Sequence, residues 1–222
     1  MVRTLCLVLL AAVIVVGCTK EPEPQPKPEN LPPPEPTPQE IYSGKLKPAV
    51  EVFWRPMKGG ATLSVAEKDQ AIQQLTSLKS ENAAKDNGRQ ALSMLQKDIE
   101  ELLKTARTEN RWIVVKACCQ AYSILQPGSD RYAKLEQRAD LMLKRPSVTV
   151  RGFFQVGSGS ELYAFLDVTE RDTGKVTNYK VREGEEFHGV LQLVRIIGDQ
   201  QSVEILYIPV NDTWIVKGVG QD

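Results

Sequence analysis

Histidine is almost absent from this sequence, and cysteine is scarce. The 222 residues include one histidine, His188, and four cysteines. A single histidine leaves little material for a histidine-based catalytic relay or for a metal site built on imidazole ligands. Cys6 and Cys18 fall in the first eighteen residues and Cys118 and Cys119 are adjacent, so the disulfide framework of small secreted proteins is not expected. We predict neither a metal nor another cofactor.

An excess of one charge is also missing. Lysine and arginine number 28, as do aspartate and glutamate. Without a basic excess the chain lacks the electrostatic footprint of a nucleic-acid-binding protein, and no nucleic-acid partner is predicted.

Short catalytic motifs are lacking as well. The sequence contains no GxSxG, HExxH, P-loop or GxGxxG motif. Residues 157–160, Gly-Ser-Gly-Ser, lie between two predicted strands and indicate a hairpin loop rather than a phosphate cradle. Glu183, Glu185 and Glu186 fall in a predicted turn and are expected to be solvated, and His188 is expected in a turn or at the surface. We therefore predict a protein that is not an enzyme.

Adjacent cysteines are the least usual local feature of the middle of the chain. On a helix, Cys118 and Cys119 would point about 100° apart, and a bond between them would need a strained ring. Three interpretations stay open: two small buried hydrophobic residues, sites of intermolecular crosslinks, or a redox pair.

The N-terminus carries a targeting signal. Arg3 precedes an apolar run over residues 5–16, which is too short to span a bilayer comfortably and is typical of a signal peptide. Val15-Val16-Gly17-Cys18 then matches the bacterial lipobox. This resemblance implies a signal peptide over residues 1–17, cleavage before Cys18, and lipid attachment to Cys18. The alternatives are an ordinary secretory signal or a membrane-anchoring helix with an incidental cysteine.

The segment that follows is rich in proline. Nine of the fourteen prolines lie within residues 21–40, interleaved with glutamates. Such a segment cannot bury a core and favours an extended path of roughly 3.1 Å per residue, about 60 Å over twenty residues. We predict a lipidated N-terminus and stiff tether over residues 18–60; a ligand for proline-binding modules is the alternative. For residues 41–60 two interpretations stay open: a docking strand, or a segment that folds against a partner.

A helical domain is predicted over residues 61–146. Ser64 and Glu67 form a capping box, residues 86–88 indicate a break, and residues 109–126 are apolar on more than one face. An apolar stripe at helical spacing lies between these features: Leu92, Leu95, Ile99, Leu102, Leu103 and Ala106. We expect three or four antiparallel helices, the last one capped by Ser129 or Asp130. Whether they form a true repeat stays open.

Over residues 147–222 the spacing of apolar residues changes from that of a helix to that of a β-strand. Alternation in the first strand predicts one apolar face, made of Val148, Val150, Phe154 and Val156. Further strands are predicted over 162–168, 176–181, 190–197, 203–208 and 213–217. The fold class is therefore α+β: a helical hairpin block followed by a small antiparallel β-sandwich or partly open barrel. Sheet edges of this kind can accept a strand from a partner.

One run in the predicted sheet domain resembles a known family. Its marked positions are Val181, Gly184, Phe187, Gly189, Ile196, Ile197, Asp199 and Val203. This run resembles the small β-domain of PilP pilus-assembly lipoproteins and the homology region of the type II secretion protein GspC. A lipidated N-terminus followed by a proline-rich tether and a C-terminal β-domain is also similar to PilP.

The resemblance implies a periplasmic adaptor that connects inner-membrane assembly components to an outer-membrane secretin. We therefore expect a lipid-anchored protein of the bacterial cell envelope that faces the periplasm. Its expected partners are a membrane, through Cys18, and a secretin or an inner-membrane component of a pilus or secretion machine. The alternative is a generic envelope lipoprotein whose helical block binds peptides or proteins. Thr19 leaves open which membrane holds the anchor.

Overall fold

The chain folds as an α+β protein, in which helices precede two antiparallel sheets of three and four strands. We describe it from a computed structural model, which covers residues 34–156, 161–198 and 202–218. The fold class predicted from the sequence is confirmed. The predicted lipid site Cys18, the signal peptide and most of the proline-rich segment lie outside the described residues. The helices and sheets belong to one compact unit, Pro36–Asp222.

The segment after the prolines is helical rather than extended. Its turns are α1 (Pro38–Ile41), a π-helical stretch (Tyr42–Leu46), α2 (Lys47–Val50) and two 3-10 turns (Glu51–Phe53, Arg55–Lys58). Its buried apolar side chains pack in the core of the helices: Ile41, Leu46, Val50 and Phe53. This segment is therefore neither a strand nor left exposed for a partner, and the helical core includes residues on the N-terminal side of the predicted boundary at 61.

Four longer helices follow: α3 (Val65–Asn82), α4 (Asp86–Thr108), α5 (Trp112–Leu125) and α6 (Ala133–Lys144). The capping box predicted at the start of α3 is confirmed. Ser64 Oγ accepts a hydrogen bond from the Glu67 amide at 3.2 Å, and the Glu67 carboxylate accepts from the Ser64 amide at 3.0 Å. Arg55 also donates to this carboxylate at 2.8 Å, which ties the end of the N-terminal segment to α3.

We expect Glu67 to titrate far below an ordinary glutamate. Hydrogen bonds from Arg55 and Ser64 lower the pKa of Glu67 from 4.5 to about 2. Because the folded pKa is depressed, this contribution to stability is fully present above pH 4.5 and is lost as the pH falls toward 2. A carbon-13 NMR titration of the Glu67 carboxyl should have its midpoint near pH 2, and Arg55→Gln should move it upward. A wild-type midpoint near 4.5 would contradict the geometry.

The helices α3 and α4 meet at a tight junction. The sequence predicted a break at residues 86–88; the turn lies just before them, and Asp86-Asn87-Gly88 opens α4. Gly88 is buried against the end of α3, where an added Cβ would lie 2.1 Å from the carbonyl oxygen of Asn82. Glycine is required here because the two backbones approach too closely for any side chain.

The predicted core of the helical part is largely confirmed. The α4 stripe is buried at Leu95, Ile99, Leu102, Leu103 and Ala106, and Leu92 is half-buried. Helix α5 is buried on more than one face, as its sequence predicted, and it packs against α3, α4 and α6. It is the central helix of the block.

The predicted cap of the last helix is wrong. Helix α6 begins at Ala133, and the residue before it, Tyr132, makes no side-chain capping hydrogen bond. Ser129 Oγ instead accepts a hydrogen bond from the Arg131 amide at 3.4 Å. Pro127 and Gly128, which has a φ of +87°, begin a turn that extends to residue 132, so the polar residues are used within that turn.

Within the described residues, seven strands follow the helices: β1 (Ser147–Val156), β2 (Glu161–Thr169), β3 (Val176–Arg182), β4 (Glu186–Phe187), β5 (Leu191–Ile197), β6 (Ser202–Tyr207) and β7 (Asp212–Lys217). The three-stranded sheet has the order β1-β2-β3, and the four-stranded sheet the order β4-β5-β6-β7. All pairs are antiparallel. The two-residue strand β4 was not predicted, because two residues are too few for a visible alternation.

A β-bulge changes the face on which one aromatic residue lies. The pairing of β1 with β2 shifts register between Val150 and Gly152. One extra residue reverses the alternation beyond it, so Phe153 packs on the core and Phe154 is 51% exposed. The prediction that Phe154 faces inward with Val150 is therefore wrong.

Helix α6 packs directly on the sheets. Met142 is buried in the core of the β part, and the Tyr207 hydroxyl donates to the Leu141 carbonyl at 3.1 Å. Asp212, at the start of β7, lies 3.3 Å from Arg145 and 3.5 Å from Arg138. Burial lowers the pKa of Arg145, and the Asp212 carboxylate opposes that shift. The helical and β parts therefore share an interface that is apolar at its centre and ionic at its margin.

Candidate functional site

The predicted lipid site and the hairpin loop at residues 157–160 lie outside the described residues. His188 lies in the turn after β4 with a φ of +53°. Its Nδ1 atom is 3.1 Å from the Tyr179 hydroxyl, and the rings meet edge to face. Among the described residues, the side-chain hydrogen-bond partner of His188 is thus a tyrosine.

The adjacent cysteines are fully buried free thiols. Burial raises the pKa of Cys118 well above its usual value and raises the pKa of Cys119 to about 12. Thiols of this kind carry almost no thiolate near neutral pH, and the thiolate is the reactive form. Of the three interpretations left open, the structure favours two small buried hydrophobic residues.

The acidic turn after β3 has a structural role. Glu183 accepts a hydrogen bond from the Ile196 amide at 2.6 Å, and Glu185 accepts from the amide and the guanidinium of Arg182. Two of its three carboxylates therefore hold the connection between the two sheets.

The edges of the two sheets approach each other. Strand β1 lies beside β7, and β3 lies beside β4 and β5. The sheets are not hydrogen-bonded into a closed barrel. Because each edge faces the other sheet, there is less room for a partner's strand than two isolated sheets would offer, and the outer faces become the better candidates for binding.

The outer face of the three-stranded sheet carries exposed aromatic and cationic side chains. We call this surface the outer aromatic face and define it by Phe154, Tyr163, Phe165, Lys180 and Arg182. Cross-strand pairing places Phe154 opposite Tyr163 and Tyr163 opposite Arg182, while Phe165 pairs with Lys180. Phe154 and Phe165 are 51% and 39% exposed. Both are large apolar side chains directed away from the core.

Lys180 lies at the centre of this face. Its Nζ atom is 4.1 Å from the centroid of the Tyr163 ring and 5.7 Å from that of Phe154. Among the described residues it has no carboxylate within 4.0 Å, whereas Arg182 pairs with Glu185 at 2.9 Å. The ammonium is therefore held by aromatic rings, an arrangement that leaves its charge available to a ligand.

A buried carboxylate supports the bulge that exposes Phe154. Asp167, on β2, is only 6% exposed and accepts hydrogen bonds from Arg151 and Asn178. Arg151 lies within the bulge, so its pairing with Asp167 fixes the local backbone. The bulge that turns Phe154 outward is therefore held by a defined polar contact.

This arrangement is suited to binding a protein. Aromatic residues and arginine are enriched in protein interfaces and dominate their energetics. Among the described residues, no group of three or more histidine, cysteine, aspartate or glutamate side chains is placed to hold a metal ion. No helix within the described ranges is both long and apolar enough to cross a membrane.

Sequence reasoning missed this face, although part of the signal was present. Simple alternation along the strand predicted over residues 162–168 places Tyr163 and Phe165 on the side opposite Ala164 and Leu166, which are buried. The exposure of Phe154 depends on the bulge near Gly152, which alternation alone does not reveal.

Comparison of the chain with family models, with curated proteins and with solved structures found no match.

Proposed function

We propose that this protein is a non-enzymatic, lipid-anchored adaptor of the bacterial cell envelope. It faces the periplasm and binds a secretin or an inner-membrane component of a type IV pilus or type II secretion-like machine. The lipobox that ends at Cys18 and the proline-rich segment after it support the anchor and the tether.

The run that resembles PilP and GspC supports the choice of machine. The resemblance implies a strand, a glycine-bounded turn and two further strands. In the fold this run begins in β3, turns at Gly184 and Gly189, which have φ values of +83° and +69°, and continues through β5 and β6. The glycines thus occupy positions that favour glycine because φ is positive.

The outer aromatic face is the observation that carries the proposal of protein binding. Two phenylalanines that are 51% and 39% exposed on one sheet face leave apolar surface in water. Large exposed apolar patches mark interaction sites, and these two side chains lie on the same face of one sheet. Truncation of an aromatic residue that is a hot spot of an interface costs about 2 kcal/mol or more of binding free energy.

We expect the double variant Phe154→Ser/Phe165→Ser to lose its partner. The test is crosslinking in intact cells, purification of the protein from membranes, and quantification by mass spectrometry of the secretin or pilus component that is crosslinked. Capture should fall at least tenfold. The urea unfolding midpoint, measured alongside, should show that the double variant is still folded.

Ile215→Ser is the matched control, since Ile215 is 60% exposed but lies on β7 of the other sheet. It should capture as much partner as the wild type. Equal capture by the double variant would exclude the outer aromatic face as the binding site. If the wild type captured no secretin, pilus or secretion component, the generic envelope lipoprotein would be the better account.

A further inference from the structure

A second candidate site lies between the helices and the sheets. A cleft of about 490 Å³ opens where the start of α5, the end of α6, the β2–β3 connection and the start of β7 come together. Its volume lies within the range of roughly 300–1,000 Å³ that is usual for ligand sites. Such sites occur preferentially where two parts of a fold meet.

The cleft carries a positive charge. Three arginines and one aspartate are among its lining residues, a net charge of +2: Arg111, Arg145, Arg171 and Asp212. Asp212 is already engaged, because it lies within 4.0 Å of both Arg138 and Arg145. Arg111 has only a distant partner, Glu109 at 3.9 Å, and within the described ranges Arg171 has no carboxylate within 4.0 Å. Two guanidinium groups are thus available to an added anion.

The first turn of α5 strengthens the preference of the cleft for anions. Residues Asn110–Ile113 line the cleft, so the N-terminus of α5 opens into it. Among the described residues, this turn contains no acidic side chain and has no side-chain cap. The partial positive charge of the helix end therefore adds to that of the arginines.

Two indole rings line the same cleft. Trp112 and Trp214 are both half-buried, and the guanidinium of Arg145 lies 4.5 Å from the centroid of the Trp214 ring. Arg138 lies 5.8 Å from the centroid of the Trp112 ring. The cleft therefore combines donors that match carboxylates with apolar surface that a free inorganic anion could not use.

We propose that this cleft binds an acidic peptide segment of a partner protein, with carboxylates on Arg111 and Arg171 and an apolar side chain against the indoles. Guanidinium groups match the planar, bidentate geometry of carboxylates, and a peptide supplies both chemical features in one chain. This site is separate from the outer aromatic face and does not depend on it.

The test uses the full-length protein in detergent and follows its tryptophan fluorescence. The probe is the peptide acetyl-Glu-Glu-Phe-Glu-Glu-amide, which contains no tryptophan. Saturable binding is expected, weakening at least tenfold for the counterpart with four glutamines and for Arg171→Gln protein. Arg107→Gln removes the same charge from an exposed position on α4 outside this cleft and should leave the affinity unchanged.

Three results would overturn the proposal. Equal affinity for the glutamine peptide would show that carboxylates are not recognised. Equal affinity of Arg171→Gln protein, with an unchanged urea midpoint, would place the peptide elsewhere. Equal or tighter binding of glutarate or inorganic phosphate would show that the indoles contribute nothing and that the cleft takes free anions. Phe154→Ser/Phe165→Ser protein should bind the peptide normally, so this test is distinguishable from that of the proposed adaptor.

Discussion

Cys18→Ser should abolish lipid attachment and release the mature protein from membranes. The proposed lipidated form would carry two or three acyl chains, and because each buried methylene contributes about 0.8 kcal/mol, a multiply acylated protein would stay bound. Serine cannot accept a thioether-linked lipid, so variant protein that is cleaved should be found in the soluble fraction, whereas any precursor that keeps residues 1–17 stays with the membrane. The measurement is cell fractionation with mass spectrometry of the N-terminal peptide, in which the acyl mass should be lost completely.

Cys6→Ser is the matched control, because Cys6 precedes the predicted cleavage site and would be removed with the signal peptide. It should leave lipidation unchanged. Retention of mature, unmodified Cys18→Ser protein in carbonate-washed membranes would contradict the lipid anchor. A native product that still begins at Met1 would favour the membrane-anchoring helix with an incidental cysteine.

Gly88→Ala should destabilise the helical part strongly. The new methyl group would lie 2.1 Å from the Asn82 carbonyl oxygen and 2.8 Å from its carbon. Because these atoms are backbone, no side-chain rotation relieves the clash, and α3 and α4 must move apart. We expect a loss of roughly 3 kcal/mol in the free energy of unfolding, at the upper end of typical overpacking costs. Urea denaturation measures it as a lower midpoint.

Gly44→Ala provides the comparison for this variant. Gly44 lies in the π-helical stretch Tyr42–Leu46, where an added Cβ meets no atom within 4 Å. Alanine in a helix is favoured over glycine by about 0.5–1 kcal/mol, so this variant should be unchanged or slightly more stable. Equal midpoints for the two variants would contradict the close approach at the α3–α4 junction.

Most of the helical part, and the presence of antiparallel strands after it, could be predicted because local sequence patterns determine them. The Ser64–Glu67 capping box is a local signal, and the α4 stripe repeats at helical spacing. The segment at residues 41–60 was harder, because its prolines and aromatic residues fit a strand or a helical turn equally well. Burial of Val50 and Phe53 against the other helices favours the helical form.

The candidate sites were less predictable, because they depend on register and tertiary contact. A one-residue bulge near Gly152 moved Phe154 to the outer face, and a single sequence does not mark where an extra residue is accommodated. The cleft is assembled from Arg111, Arg171 and Trp214, which are far apart in the chain. No local pattern places these residues together.

The position at which the chain enters the fold determines how it would respond to force. The helical turns at residues 38–58 hold Leu46, Val50 and Phe53 fully buried. Tension applied between the N-terminal end of the chain and the sheets would therefore act directly on these turns. Peeling them away would open the core of the helices while leaving β1–β7 hydrogen-bonded, so the protein would extend under load before its sheets came apart.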